Sequence, residues 1–461
     1  MKKLLFILIS LIPVVACAQQ DWSPSSPTTY AWKYVGSAGF SAGNVAFTSL
    51  AISQSGEPYM AFRDSLNSSK ITVVKFNGSK WVKLEPAGFS AGEADWTSIA
   101  LNQSGEPFVG YQDYGNSNKA TVMKFAGGNW VYVGTAGFSS GGVAFTSLAV
   151  SQSGEPFMAY RDDGNSSRAT VMKFDGTNWI NVGIAGFSSS MAYFTSLAFN
   201  PSDGQPYIAF SDGANFWKAT VMKFDGTNWV NVGNAGFSAG GANWTSLAFN
   251  SSGEPNIAYL DNGNSAKATV MKFDGTNWVN VGNAGFSAGG VGYTSLAFSP
   301  TDGQPYVGFQ DWGNSGKAAV MKFDGTNWVN VGTAGFSAGE ADWTSLAFSQ
   351  SGVPYIAYQD YGNYWKATVM KYDSVMVGIY EKQESKFSLY PNPAVDIVTI
   401  ETLTPLKKGQ LSISNLHGLE LITCQITSSK TQLDISGLPG GIYFVRLKND
   451  KAVAVGKFIK Q

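Results

Sequence analysis

Residues 218–241 read KATVMKFDGTNWVNVGNAGFSAGG, the best preserved stretch of a unit that recurs along most of this 461-residue chain. Trp32, Trp81, Trp130, Trp179, Trp229, Trp278 and Trp328 mark it at intervals of 49 or 50 residues. The AlaGlyPhe element ends at Phe40, Phe89, Phe138, Phe187, Phe237, Phe286 and Phe336. A strand-rich period of this length points to a propeller. Each unit carries four strand signals, in the order ThrSerLeuAlaPhe, ProTyrIleAlaTyr, LysAlaThrValMetLysPhe and TrpValAsnValGly, and four strands make one blade. The runs are apolar on both sides, as a sheet sandwiched between two other sheets requires. SerGly or AspGly supplies the turn between the first two strands and AspGlyThrAsn the turn between the last two. Helical periodicity is absent.

Seven blades closed into a ring leave no end blade with a bare face. Thr294 to Gly303, ThrSerLeuAlaPheSerProThrAspGly, resembles the strand frame of WD-repeat propellers. On that frame a seven-bladed β-propeller spans residues 30–373, starting on an outermost strand around Trp32 and ending on a third strand around Lys371. Both ends of the repeat region then complete blade seven. Val375 to Gly378 is the competing candidate for that outer strand.

The beginning of the chain reads as an export signal, expected at residues 1–18: Lys2 and Lys3, an apolar run from Leu4 to Val15, then Ala16, Cys17 and Ala18 as a small-x-small cleavage site. Val14 to Cys17 also resembles a bacterial lipobox, which would make Cys17 an acylated first residue. No later segment approaches the ~18 apolar residues of a membrane span. Cys424 is the only other cysteine, so no intrachain disulfide is expected in the exported protein.

Beyond residue 373 the Gly, Asn and Trp pattern stops. A linker is expected at 374–387, and then short alternating strands at Ile397–Ile400, Gln410–Ser414, Glu420–Ile426, Thr431–Ile435, Gly441–Leu447 and Ala452–Ile459, the pattern of a small Ig-like β-sandwich. Ser388 to Pro393 (SerLeuTyrProAsnPro), Leu438 to Tyr443 (LeuProGlyGlyIleTyr) and a terminal GlyLysPhe are similar to the type IX secretion C-terminal sorting domain, over residues 388–461. The resemblance implies a bacterial protein whose tail is read by an outer-membrane export machine and often removed, the cargo being released or anchored to surface polysaccharide. The expected location is therefore secreted or on the outer-membrane surface. His417, the only histidine, falls on a loop of this domain.

With 31 Lys plus Arg against 32 Asp plus Glu, no phosphate-driven nucleic-acid binding is expected. Gly39 to Gly43, GlyPheSerAlaGly, fits the GxSxG pattern of serine hydrolases, but the repeats hold no His and no helix to form a nucleophile elbow. Ser41 reads as part of a loop between blades. Asp64, Asp113, Asp162, Asp212, Asp261, Asp311 and Asp360 head a second recurrent element that partly resembles the Asp-box of sialidase-type propellers. It lacks the leading Ser and the closing aromatic, and the four arginines, Arg63, Arg161, Arg168 and Arg446, are too few and badly placed for a carboxylate-gripping triad. Calcium ligation is the lesser reading. The greater is that these carboxylates cap turn donors, with a Lys or Arg six residues on balancing the charge. No cofactor or metal is expected.

Aromatic residues begin the first strand of each unit: Phe47, Trp96, Phe145, Phe194, Trp244, Tyr293 and Trp343. They suit packing between blades or ligand contact. Tyr114, Trp217, Trp312, Tyr361 and Trp365 vary from unit to unit in the loop after the second strand, as surface tuning would. Both sets belong on one face of the ring. Trp96, Tyr114, Trp217, Trp244, Trp312, Trp343, Tyr361 and Trp365 are the candidate ligand-binding residues, since flat sugar faces stack on Trp and Tyr while Asn, Asp and Lys fix hydroxyls. The expected function is a non-enzymatic surface or secreted binding protein with multiple equivalent weak sites for extracellular ligands, glycans foremost. A structural or adhesive protein that engages other proteins is the alternative, and a carbohydrate-active enzyme a more distant one.

Overall fold

The computed structural model describes residues 29–374, 387–402, 409–448 and 453–461. The expected signal peptide, Cys17, residues 375–386 of the expected linker and the competing strand at 375–378 lie outside the described residues, while the linker's expected end residues, Ser374 and Phe387, lie in strands. Among those residues no helix is long and apolar enough to cross a membrane. The chain divides into a repeat unit, Tyr30–Ser374, and a C-terminal unit.

The repeat unit holds seven four-stranded antiparallel sheets. Blade one shows the pattern: Val45–Ile52 innermost, then Pro58–Asp64, Lys70–Phe76 and Trp81–Lys83. Blade seven takes Ala341–Phe348, Pro354–Asp360 and Lys366–Ser374, and is completed by Tyr30–Tyr34 from the start of the repeat unit, with Trp32 opposite Tyr372. The inner strand of blade one packs against those of both blade two and blade seven, so the ring is closed. The two 50-residue spacings arise in the first hairpin turn. Gly253 N–H bonds to the carbonyl of Asn250 in blade five, whereas the longer turn of blade four runs from Gly204 N–H to Asn200.

No blade has a core of its own. Each apolar cluster draws on two neighbours, such as Ala258, Leu260 and Val270 of blade five with Leu296, Val307 and Phe309 of blade six. Hence the second and third strands are buried on both faces. Three belts of hydrogen bonds fasten the junctions, each running round all seven. In the ThrSerLeu (ThrSerIle in blade two) of each inner strand, the Thr hydroxyl donates to a carbonyl of the preceding blade, as Thr97 does to Phe47 and Thr48 to Trp343. The Ser hydroxyl accepts from the next blade, as Ser49 does from Ile99 N–H at 3.1 Å and Ser345 from Leu50 N–H at 3.0 Å. These side chains occupy inner-edge polar groups that ladder pairing leaves free. In the third belt each outer-strand Trp donates its indole N–H to the preceding repeat, as Trp81 does to Val35 and Trp32 to Val331, both at 2.7 Å. The same indoles stack on the AlaGlyPhe rings, Trp130 on Phe89 and Trp179 on Phe138, both with centroids 4.1 Å apart.

The Asp element is a buried cap. Asp113 receives Gly115 N–H at 3.0 Å, Asn116 Nδ2 at 2.8 Å and the Thr121 hydroxyl at 2.9 Å, and it starts a single 3-10 turn, Tyr114–Asn116. The Lys expected to balance it stands opposite in register, Asp113 to Lys119, while N–H and O–H donors occupy the carboxylate. The Thr hydroxyl also receives a Gly N–H from the AlaGlyPhe loop in six blades, as from Gly137 to Thr121 at 2.9 Å. Blade six departs: Ala319 stands in place of the Thr.

The C-terminal unit pairs a three-stranded sheet (Phe387–Tyr390, Ile397–Thr402, Lys430–Asp434) with a four-stranded one (Glu420–Ile426, Gly409–Ser414, Gly441–Lys448, Val453–Lys460). Val398, Ile400 and Leu433 from one sheet and Leu411, Ile413, Val445 and Phe458 from the other share a core. The strand Phe387–Tyr390 was not expected, because ProAsnPro directly after it reads as a turn. Those motif residues lock the sandwich. Asn392 accepts Ile459 N–H at 2.9 Å and donates to Lys457 at 3.2 Å, and Tyr443 donates to Pro439 at 2.7 Å. His417 is exposed on its loop.

Ala319→Thr should place a hydroxyl between Asp311 and the Gly335 N–H. The variant is expected to unfold at higher denaturant with unchanged m value, by about 1 kcal/mol; equal or lower stability in equilibrium denaturation counts against this view of the cap.

Candidate functional site

The register places Val45 opposite Asp64, so the start of each inner strand, the loop entering it and the 3-10 turn share one face. We call this the turn face. The opposite face carries the first hairpin turns.

At the axis on the turn face lies a ring of seven aromatic side chains. The register slips by a residue at each of them, as between Ala46 and Ser49, and each adopts left-handed backbone, φ +52° at Phe47 and +54° at Trp343. Such bulges turn the side chain inward. Around the ring, centroids are 5.0 Å apart for Phe47–Trp96, 4.3 Å for Trp96–Phe145, 4.8 Å for Phe145–Phe194, 4.7 Å for Phe194–Trp244, 4.3 Å for Trp244–Tyr293, 4.7 Å for Tyr293–Trp343 and 4.2 Å for Trp343–Phe47. Trp343 also meets Trp96 and Trp244 edge-on across the ring, at 5.7 and 5.5 Å. Trp96, Trp244 and Trp343 therefore pack against one another, and each keeps part of its ring exposed.

The loop aromatics stand farther out, each in a different setting. Tyr114 donates to Asp95 at 3.2 Å, beside Arg63, which grips Asp95 at 2.6 Å and Glu93 at 2.7 Å from the neighbouring blade. Trp217 stacks on Tyr193, 4.9 Å and 11° apart, with the Arg161 guanidinium 5.2 Å from the Tyr193 ring and 3.0 Å from Asp163. Trp312 donates its indole N–H to Gln310 at 3.0 Å and lies over Gly290, where a Cβ would come within 2.7 Å of the indole. Tyr361 meets Trp365 edge-on at 4.6 Å. The expected equivalence of these sites gives way to individual settings, because the repeated residues are spent on the scaffold and only the unrepeated ones reach outward.

Two exposed aromatics escaped the sequence reading. Phe216 is 86% and Tyr364 77% exposed. They precede Trp217 and Trp365, and all four residues have left-handed backbone, φ +55° and +63° in blade four, +58° and +56° in blade seven. The matching pairs elsewhere are SerSer, SerAsn, SerAla and SerGly. That contrast was the available signal.

Blades two and seven share the sequence GluAlaAspTrp but not its partner. Where Arg63 serves Glu93 and Asp95, Gln310 offers one amide to Glu340 at 3.1 Å and Asp342 at 2.6 Å. Burial, and then the neighbouring Glu340, push the Asp342 carboxyl above the ordinary range, against the Gln310 hydrogen bond. Burial together with Asp342 and Glu340 also pushes the Tyr293 phenol up to about 12.

The GxSxG serines are structural. Ser41 is buried, donates to Gly43 at 2.7 Å and accepts Ala367 N–H at 2.9 Å, and Ser90 repeats the arrangement. Among the described residues no group of three or more His, Cys, Asp or Glu is placed to hold a metal.

Residues 388–461 match the family model of the secretion system C-terminal sorting domain, so the tail is a type IX sorting domain. No curated protein matches the chain. Among solved structures, PorZ, described as an essential bacterial surface component of the type IX secretion system of Porphyromonas gingivalis, is 14% identical with a TM-score of 0.45; the alignment covers 91% of this chain and 60% of PorZ. The chain thus spans less than two thirds of that protein. The Aleuria aurantia lectin, in complex with Fucα1-6GlcNAc, is 17% identical over 66% of this chain and 100% of the lectin, with a TM-score of 0.42. An ulvan lyase of a polysaccharide lyase family is 12% identical over 73% of this chain and 94% of the lyase, with a TM-score of 0.48.

The pH dependence of stability isolates Asp342. An acid whose pKa is raised in the fold favours folding while protonated. Its contribution is full below its ordinary value of 3.8 and is lost as pH rises through the raised value. Asp342→Asn keeps the acceptor for Gln310, so it should melt higher than the parent at pH 7, with the difference shrinking toward pH 3. A constant difference in thermal melts across that range contradicts the assignment.

Proposed function

We propose that the chain is an exported binding protein rather than an enzyme, and that its turn face takes extracellular glycans. The observation that carries this reading is the pair of aromatic doublets, Phe216–Trp217 and Tyr364–Trp365. Left-handed backbone costs a residue with a Cβ roughly 1–2 kcal/mol, and the Phe216 and Tyr364 rings, largely exposed to water, recover little of it by burial. The surrounding repeat holds this backbone in the other blades too, with Ser, Asn or Ala in place, so what sets blades four and seven apart is that large rings occupy it. Trp217 on Tyr193 and Trp312 on Gly290 add rings held flat by their neighbours, the geometry that receives the CH face of a sugar. Arg63, Glu93, Asp95, Glu340 and Asp342 supply donors and acceptors for hydroxyls nearby. Individually weak contacts on one face combine into avidity for a polymer. The sorting tail fits a ligand met outside the cell.

On an array of extracellular polysaccharides the protein should bind at least one class, and Trp217→Ala or Trp365→Ala should weaken that binding about tenfold, the loss of one stacking contact. Unchanged binding in both variants sinks the assignment. Binding to surface proteins in pull-downs, with an empty array, favours the adhesive alternative. Removing residues 388–461 should keep the protein out of the medium and off the cell surface, as mass spectrometry of both fractions will show; undiminished export without the tail removes the link to the sorting system.

A further inference from the structure

Two cavities occupy matching places on successive blade junctions, on the face opposite the aromatic doublets. One, of about 630 Å³, lies between blades three and four and includes Phe157, Lys173 and Asn181 in its wall. The other, of about 480 Å³, lies between blades four and five and includes Tyr207, Lys223 and Asn231. These residues correspond one to one in the repeat, an aromatic from the second strand, a Lys from the third and an Asn from the fourth. The far wall is a Phe from the next blade, Phe224 in the first cavity and Phe273 in the second.

The position of the Phe wall has a local cause. Gly183 and Gly233 follow the outer strands with left-handed backbone, φ +71° and +70°. A Cβ there would come within 3.2 Å of Phe224 and 2.9 Å of Phe273, so glycine lets the next blade's Phe ring stand close and edge the cleft.

Their chemistry is specific in kind. Lys173 Nζ lies 5.8 Å from the Phe157 ring centroid and 3.8 Å from Glu155 Oε1. In this first cavity the ammonium is thus already balanced by a carboxylate, which disfavours an anionic ligand there; in the second, the Glu254 of the wall pairs instead with Lys272 of its own blade, at 3.1 Å. What remains is a donor, an acceptor and a side-chain amide set between aromatic edges, in a groove open to water. A neutral ring with hydroxyls on its rim and CH groups on its face meets all of these. We infer that the inter-blade clefts opposite the turn face are a second, repeated set of binding sites, each taking one or two neutral saccharide units. This deepens the glycan reading and rests on it. Two matching clefts at successive junctions suit a ligand whose units repeat, whereas the turn-face rings, each in its own setting, suit one ligand region apiece.

The test uses the full chain and methyl glycosides of glucose, galactose, mannose, N-acetylglucosamine and fucose, each titrated at millimolar concentration by calorimetry and saturation-transfer NMR. At least one should bind with more than one equivalent per chain. Asn181→Trp combined with Asn231→Trp, at two exposed positions, should fill two clefts, lowering the number of sites by two and leaving the melting temperature unchanged. Trp217→Ala with Trp365→Ala should leave these cleft sites in place. Stoichiometry unaffected by the Asn→Trp pair overturns the clefts. If polysaccharide binding persists and depends on Trp217 and Trp365, the turn-face reading stands without them. No binding of any glycoside or polysaccharide overturns both.

Discussion

The junction between blades is the constraint on which the rest of the molecule depends. A single four-stranded sheet here buries nothing by itself: its second and third strands are apolar on both faces, and every core cluster in the ring needs the next blade. The Thr and Ser hydroxyls of neighbouring inner strands make this dependence mutual. A ring is the arrangement in which every blade has two neighbours. Its closure is strengthened by Tyr30–Tyr34, which pairs with the end of the same unit and brings Trp32 into the last place of the indole belt. Opening the ring would expose two apolar faces and break that strand pairing together, so closure is cooperative.

The division of labour within each repeat follows from this. Residues that recur seven times face inward or bond to a neighbour: the outer Trp, the AlaGlyPhe ring, the buried Ser, the Asp cap and the inner Thr and Ser. Seven aromatic bulges at the axis trade left-handed backbone for a continuous ring of contacts. Residues that differ between blades are the ones free to meet something else. Phe216, Trp217, Tyr364 and Trp365 carry the same backbone conformation as Ser and Asn elsewhere, yet bring large rings into water. The exchange of Arg63 for Gln310 beside otherwise identical acidic pairs is another such difference, and it changes the charge of the turn face locally.

The C-terminal unit solves a separate problem. Its two sheets are tied by Asn392, whose amide substitutes for strand pairing at Lys457 and Ile459, and by the Tyr443 hydroxyl on Pro439. The signature residues of the sorting domain therefore hold its sandwich together. Much of what makes the tail recognisable is a requirement of its fold.

The period and the number of blades were legible in the chain alone, because spacing and strand order are properties of one dimension; which of two segments, around Trp32 or at 375–378, completes the last sheet stayed open until the structure paired Trp32 with Tyr372. Legible too were the placing of Ser41 in a loop between blades rather than in a nucleophile elbow, and the Asp caps, whose donors lie within eight residues in sequence, as Thr121 does from Asp113. What tertiary structure decided were contacts between residues that no local pattern connects. Phe47 meets Trp343 across the closure, Tyr193 supports Trp217, Gln310 takes the place of an arginine, and glycines after the outer strands let the next blade's Phe ring approach and line a cleft. Trp96, Trp244 and Trp343 had two readings in sequence because a ring's period tells which face it shares but not what lies opposite, and only assembly of seven blades brings three indoles together at one axis.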